Sequence, residues 1–123
     1  MNALGVHLIL ELQECRSDLL DDLDYVQQTL LDAAEATGAT IIGNTFHKFS
    51  PQGVTGVVAI AESHLCIHTW PEYGYAAADI FTCGEGFSPH EAAAIIAEKF
   101  ESKSSSVQQL ARGMLKQLAG AEV

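Results

Sequence analysis

The chain reads as an α+β protein: a two-layer α/β sandwich in which a mainly antiparallel sheet carries two helices on one face. Three observations predict this. Short stretches of alternating apolar residues are bounded by turn residues, as in half-buried strands. Two longer stretches carry apolar residues at helical spacing instead. The resulting order, β-α-β-β-β-β-α-β, places four strands in succession between the helices, which fits one sheet covered on one side.

Val6 to Leu12 alternates, with Val6, Leu8, Leu10 and Leu12 on one face and His7, Ile9 and Glu11 on the other. Ser17 stands as the N-cap of one long helix, with Asp18, Asp21 and Asp22 in its first turns, where negative charge suits the helix dipole. Leu19, Leu23, Val26, Leu30 and Ala34 recur at helical spacing, and Gly38 takes the C′ position that ends the helix. Ala39 to Ser50 reads as a strand, Ser50-Pro51-Gln52-Gly53 as a turn, and Val54 to Ala61 as a strand returning antiparallel. His64 to Trp70 alternates again, Pro71 to Gly74 turns, and Tyr75 to Thr82 gives another strand. Ser88-Pro89-His90-Glu91 starts the second helix, with Ser as N-cap, Pro at N1 and Glu at N3, and Ala92, Ile95, Ile96 and Phe100 face inward from it. Lys103 to Ser106 reads as a polar linker and Ser106 to Leu110 as a last edge strand; the tail from Ala111 is left open, with a short helix as one reading.

Composition bounds the function. At 123 residues the chain is expected to form a single domain, 1–123, and its 48% hydrophobic content fits a globular protein. A net charge of −10 with only six Lys and Arg argues against nucleic acid, because phosphate binding runs on basic side chains. No segment approaches the roughly 18–20 apolar residues that span a bilayer, so no membrane role is expected. The N-terminus lacks a basic region and its apolar run is broken by His7, so no secretory signal is expected. Three cysteines, an odd number, make no disulfide framework and point to a reducing cytoplasm.

The chemistry is concentrated in Glu62-Ser63-His64-Leu65-Cys66-Ile67-His68-Thr69-Trp70-Pro71-Glu72-Tyr73-Gly74-Tyr75, followed by Phe81-Thr82-Cys83-Gly84. On a strand, His64, Cys66, His68 and Trp70 project to one face and Ser63, Leu65, Ile67 and Thr69 to the other. Two imidazoles and a thiol at i, i+2 and i+4 offer part of a zinc site, but the ligand count falls short and no CxxC or HExxH pattern is present, so no metal is expected. A Cys–His hydrolase pairing His68 with Cys83 on a neighbouring strand is a second generic reading, without an assignable orienting acid. Satisfied polar groups on a well-packed sheet are a third.

The combination resembles the prokaryotic S-adenosylmethionine decarboxylases, which make a pyruvoyl cofactor from an internal serine. The likeness starts at Gly5-Val6-His7-Leu8, continues through Gly38-Ala39-Thr40-Ile41 and Phe46-His47-Lys48-Phe49, and is strongest from Gly53 to Gly84. It implies self-cleavage between Glu62 and Ser63, giving a β chain of residues 1–62 and an α chain of residues 63–123. In the chemistry it implies, the Ser63 hydroxyl attacks the Glu62 carbonyl and turns the amide into an ester. Loss of the Cα proton expels the Glu62 carboxylate, and the remaining dehydroalanine hydrolyses to pyruvoyl and ammonia.

By the same resemblance His68 accepts that Cα proton, a task suited to imidazole, and a hydroxyl at Thr55, usually serine in the family, assists processing. Because Ser63 and His68 face opposite ways on an ideal strand, a turn or bulge near His64 is expected to bring them together. The resemblance further implies a Schiff base between substrate amine and pyruvoyl ketone, with Cys83 returning a proton to Cα after carbon dioxide leaves. Phe49 and Trp70 match aromatics that flank adenine, and Glu72 a carboxylate that accepts from the ribose hydroxyls. Cys66 falls at a position that varies in the family, and His7, His47 and His64 receive no role. A homodimer of αβ protomers with sites at the subunit interface is implied, making the aminopropyl donor for spermidine synthesis. Two alternatives stay open: an arginine or ornithine decarboxylase on the same scaffold, and a non-catalytic regulatory homologue.

Overall fold

Alternation along each strand builds the sheet. The computed structural model describes residues 3–83 and 86–115. Its strands are β1 (Gly5–Gln13), β2 (Ile41–Lys48), β3 (Val54–Ile60), β4 (Ser63–Trp70), β5 (Tyr75–Thr82) and β6 (Ser104–Arg112). They lie side by side in the order β2-β3-β4-β5-β1-β6, and each adjacent pair is antiparallel. Leu8, Leu10 and Leu12 of β1, Val54, Val58 and Ile60 of β3, Leu65 and Ile67 of β4, and Ala76, Ala78 and Ile80 of β5 are buried on one face. The helices cover that face: α1 (Ser17–Leu20), α2 (Leu23–Ala36) and α3 (Pro89–Lys99). They bring Leu20, Val26, Leu30, Ala33, Ala34, Ala92, Ala93, Ile96 and the fully buried Phe100 into the same core. The two-layer sandwich expected from the sequence is present.

The long acidic helix is divided. Ser17 is the first helical residue rather than the N-cap, which is Arg16, and the helix stops after Leu20. Asp22 then caps a second start, its carboxylate accepting the Tyr25 N–H at 3.1 Å. Between them the Asp21 carboxylate leaves the helix to bind Lys48 Nζ at 2.8 Å and the Gly53 N–H at 2.9 Å. Among the described residues, three helices therefore stand where two were expected. Gly38 follows the end of α2 with φ +96, the left-handed conformation foreseen for a C′ glycine.

The remaining boundaries shift modestly. Ser88 precedes α3 with Pro89 at its first turn, but its side chain makes no capping hydrogen bond. Of the four residues expected to face inward from that helix, Ile95 is only half-buried, while Ala93 is buried. The polar linker is shorter than expected, because Ser104 already pairs with Gln13 and β6 runs nine residues along the sheet edge. The end of the tail, residues 116–123, lies outside the described residues. Among the described residues, no helix is long and apolar enough to cross a membrane.

Among the described residues, the other face of the sheet carries no helix. Register places His7, Glu11, His64, Cys66, His68, Trp70, Tyr75, Asp79, Phe81, Thr55 and His47 on it, half-buried or exposed. On the covered face, Gly56 lies against the Phe46 ring so closely that a Cβ would fall inside it. That glycine lets Phe46 fold across β3 and join the core.

Candidate active site

Ser63 is the first residue of β4 and lies directly opposite Thr82, the last residue of β5. Its hydroxyl donates to Thr82 Oγ1 at 2.7 Å. The preceding residue, Glu62, has a left-handed backbone with φ 64, a conformation that costs a non-glycine residue free energy. Its carbonyl oxygen accepts two bonds from one residue, the Cys83 N–H at 3.2 Å and the Cys83 thiol at 3.0 Å. The Ser63 hydroxyl and the carbonyl ahead of it are thus held by consecutive residues, Thr82 and Cys83, at the end of one strand.

The second cluster lies at the other end of β4. Thr55 pairs with His68 in the register of β3 and β4, and their side chains meet at 3.2 Å between Oγ1 and Nδ1. A cleft of ≈ 250 Å³ opens beside them, lined by Phe49, Gln52, Gly53, Thr55, His68, Thr69, Trp70 and Glu72. All five residues expected to bind substrate or assist the serine from this side therefore share one cavity. Phe49 and Trp70 expose 47% and 40% of their surface, so neither is a core aromatic. Trp70 leans on Tyr75 with ring centroids 5.4 Å apart, and Phe49 meets the His47 ring edge-on at 4.5 Å. Glu72 sits on the 3-10 turn Pro71–Tyr73 at the rim.

Buried hydrogen bonds fix the floor of this cleft. Thr69 Oγ1 accepts the Val54 N–H at 2.8 Å and donates to the Leu20 carbonyl at 2.9 Å. With the bonds of Asp21 to Lys48 and Gly53, it ties the break between α1 and α2 to the loop carrying Phe49 and Gln52. Lys48 and the Gly53 N–H hold the Asp21 carboxyl below its ordinary range. Sequence reasoning missed Thr69 and Asp21. No local signal marked them, since the partners of both lie far along the chain.

The two clusters do not meet within one chain. Pairing of β4 with both neighbours is continuous from Ser63 to His68, so the expected bulge near His64 is absent. The two side chains leave opposite faces of the strand, and five residues at about 3.3 Å each put them roughly 16 Å apart. His68 pairs with Ala77, six residues along β5 from Cys83, which also removes the Cys–His hydrolase pairing in a single chain. Full ladder bonding on both sides of β4 leaves no slack for an extra residue.

His7, His64 and Asp79 form a third group on the helix-free face. Asp79 Oδ2 lies 2.8 Å from His7 Nε2 and 3.2 Å from His64 Nε2, and the ligand atoms of the three lie within 4.8 Å of one another. Arg112 approaches His7 Nδ1 at 2.8 Å. Since arginine only donates, Nδ1 accepts, and the ring proton on Nε2 goes to Asp79. That proton occupies the lone pair a metal would need. His64, Cys66 and His68 do not converge either, because His64 turns to Asp79 and His68 to Thr55. Burial pushes the Cys66 thiol up to about 11.

The chain is similar in sequence and fold to known proteins. The S-adenosylmethionine decarboxylase family pattern matches residues 6–113. An S-adenosylmethionine decarboxylase proenzyme of Thermodesulfovibrio yellowstonii is 54% identical over 115 residues, 94% of this chain and 85% of that protein. One from Clostridium kluyveri is 45% identical over 118 residues, covering 96% and 94% of the two chains. The crystal structure of the adenosylmethionine decarboxylase from Aquifex aeolicus superposes with a TM-score of 0.85 at 33% identity, covering 92% of this chain and 93% of the other. With the motif residues gathered in two clusters on the shared fold, the chain belongs to the S-adenosylmethionine decarboxylase family.

Proposed function

We propose that the chain is the precursor of a pyruvoyl-dependent enzyme that decarboxylates S-adenosylmethionine to the aminopropyl donor for spermidine synthesis. The observation that carries this reading is the Glu62 carbonyl, held by both the N–H and the thiol of Cys83 beside the Ser63 hydroxyl. Two donors on a carbonyl oxygen favour the charge that collects there when a nucleophile adds. The left-handed Glu62 adds strain that cleavage after it releases. Ser63 would thereby yield the pyruvoyl group at the head of residues 63–123, leaving residues 1–62 as the second chain.

Such a group fits the position, since its ketone carbon would be the former Ser63 Cα at the strand end beside Thr82 and Cys83, with a methyl where the hydroxymethyl side chain stood. When formed, it supplies an electron sink for the carbanion left by loss of carbon dioxide. The chain's own residues do the rest. Phe49 and Trp70 stack the purine, Glu72 accepts from the ribose hydroxyls, and Cys83 delivers a proton to the substrate Cα. No metal takes part. Three free thiols support the reducing cytoplasm as its compartment.

The separation of the two clusters supports a homodimer with shared sites. A second copy laid on the helix-free face brings its own Thr55–His68 cleft to the Ser63–Cys83 end of the first. At ≈ 250 Å³ the cleft falls short of the roughly 300–1,000 Å³ of a complete small-molecule site, as half a site should.

Co-expression of differently tagged Ser63→Ala and His68→Ala chains tests this. Denaturing mass spectrometry should find each variant whole when made alone. In the mixture about half of the His68→Ala chain should be cut, the share that random two-fold pairing gives a Ser63→Ala partner. No cutting in the mixture would defeat the shared site, and an uncut wild-type chain would defeat self-cleavage. Carbon dioxide release from S-adenosylmethionine, but not from arginine or ornithine, checks the substrate.

A further inference from the structure

The self-cleavage reading gives no role to the residue that Ser63 touches. We propose that Thr82 is a catalytic hydroxyl of the self-cleavage, orienting Ser63 Oγ and relaying its proton during attack on Glu62. The inference rests on the function proposed above.

Thr82 lies directly opposite Ser63, receives its hydroxyl proton at 2.7 Å, and is only 6% exposed. Bulk water is a poor competitor for that proton at such a site. The next residue, Cys83, holds the carbonyl that Ser63 attacks. One dipeptide therefore grips both reactants, and the backbone of the strand end fixes their relative placement. In the same chain His68 projects from the opposite face about five strand residues away, roughly 16 Å. A partner's His68 already has the later task of taking the Cα proton.

A threonine hydroxyl is not a base on its own, but it accepts with a lone pair while donating its own proton. The step then balances without a net charge on Thr82. Ser63 Oγ bonds to the Glu62 carbonyl carbon, and the bond from that carbon to the residue-63 nitrogen breaks. The Ser63 proton passes to Thr82 Oγ1 as the Thr82 proton passes to the departing nitrogen. The product is the ester with a free amine. Nothing is oxidised or reduced.

The alternative is a purely structural cross-strand Ser–Thr bond, worth about 0.2–1 kcal/mol, which affects stability rather than chemistry. Purified full-length Thr82→Val, Thr82→Ser and His68→Ala precursors separate the two. Processing half-lives are read by mass spectrometry, folding by circular dichroism, and ester content by neutral hydroxylamine, which cleaves esters but not amides. T82V should lengthen the half-life by about 100-fold or more, the usual share of proton transfer in such steps. T82S should recover most of the rate. T82V should also stay hydroxylamine-resistant, because it stalls before the ester, whereas H68A should accumulate a hydroxylamine-labile chain. Thr82→Ala, which also lacks the hydroxyl, replaces T82V if the latter is unfolded, with the same expectation. A folded T82V or T82A cut at the wild-type rate, or stalled as the ester, overturns the role of Thr82 alone. A wild-type chain that never cuts overturns self-cleavage itself.

Discussion

Replacing Thr69 with valine removes one hydroxyl while preserving shape, and the structure sets the size of the effect. Thr69 is 7% exposed, and its Oγ1 is the acceptor for the Val54 N–H, on a residue only 1% exposed. Valine leaves that N–H buried without this partner, at a cost of about 1–3 kcal/mol. The lost bond to the Leu20 carbonyl adds about 0.5–1.5 kcal/mol. A total of about 1.5–4.5 kcal/mol is a large part of the roughly 5–15 kcal/mol of a typical domain. At this chain length each kcal/mol moves Tm by several degrees, so the fall should be on the order of 10 °C. Urea and thermal unfolding should be followed in a Ser63→Ala background, which keeps the chain whole and the transition interpretable. Thr69→Ser keeps the hydroxyl and should lose only about 1 kcal/mol for its methyl. A Thr69→Val loss below about 0.5 kcal/mol, within the scatter of neutral surface changes, would refute the reasoning.

Two further outcomes test the scaffold. Gly56→Ala forces the Phe46 ring off β3 and should cost about 1–3 kcal/mol, and the cost should shrink in a Phe46→Ala background; equal costs in a double-mutant cycle would deny the contact. Asp21 has a folded pKa lowered by Lys48 and the Gly53 N–H, so its contribution exists above the unfolded carboxylate value of about 3.9 and is lost as pH falls through the lower folded value. Chemical denaturation should show wild type more stable than Asp21→Asn at neutral pH and the gap closing in acid; a gap independent of pH removes the ion pair.

Much of this was legible because strand periodicity is strict. The span Tyr75–Thr82 emerged as read, and the helix-free and covered faces of β4 followed from counting by two. The short turn at Pro71–Gly74 even fixes the partner of Ser63, since a register that pairs Trp70 with Tyr75 pairs Ser63 with Thr82. The helix break was hidden because Leu19 and Leu23 keep the apolar period on both sides, while what stops the helix is the distant pull of Lys48 and Gly53 on Asp21. The length of β6 was hidden because serines pair at a sheet edge on backbone bonds alone, without an apolar signal. The bulge expected near His64 is absent because both ladders of β4 run unbroken, so Ser63 and His68 keep the opposite faces that counting by two gives them.

The strand order has a consequence for the fate of a cut chain. β1, β2 and β3 precede Ser63 and β4, β5 and β6 begin with it, yet β1 lies between β5 and β6. The two fragments would be interlaced like clasped fingers, joined along three seams: β3 with β4, β5 with β1, and β1 with β6. Neither piece can slip free by opening a single seam. Breaking one peptide bond in such a weave alters the chemistry of its ends and leaves the fabric whole.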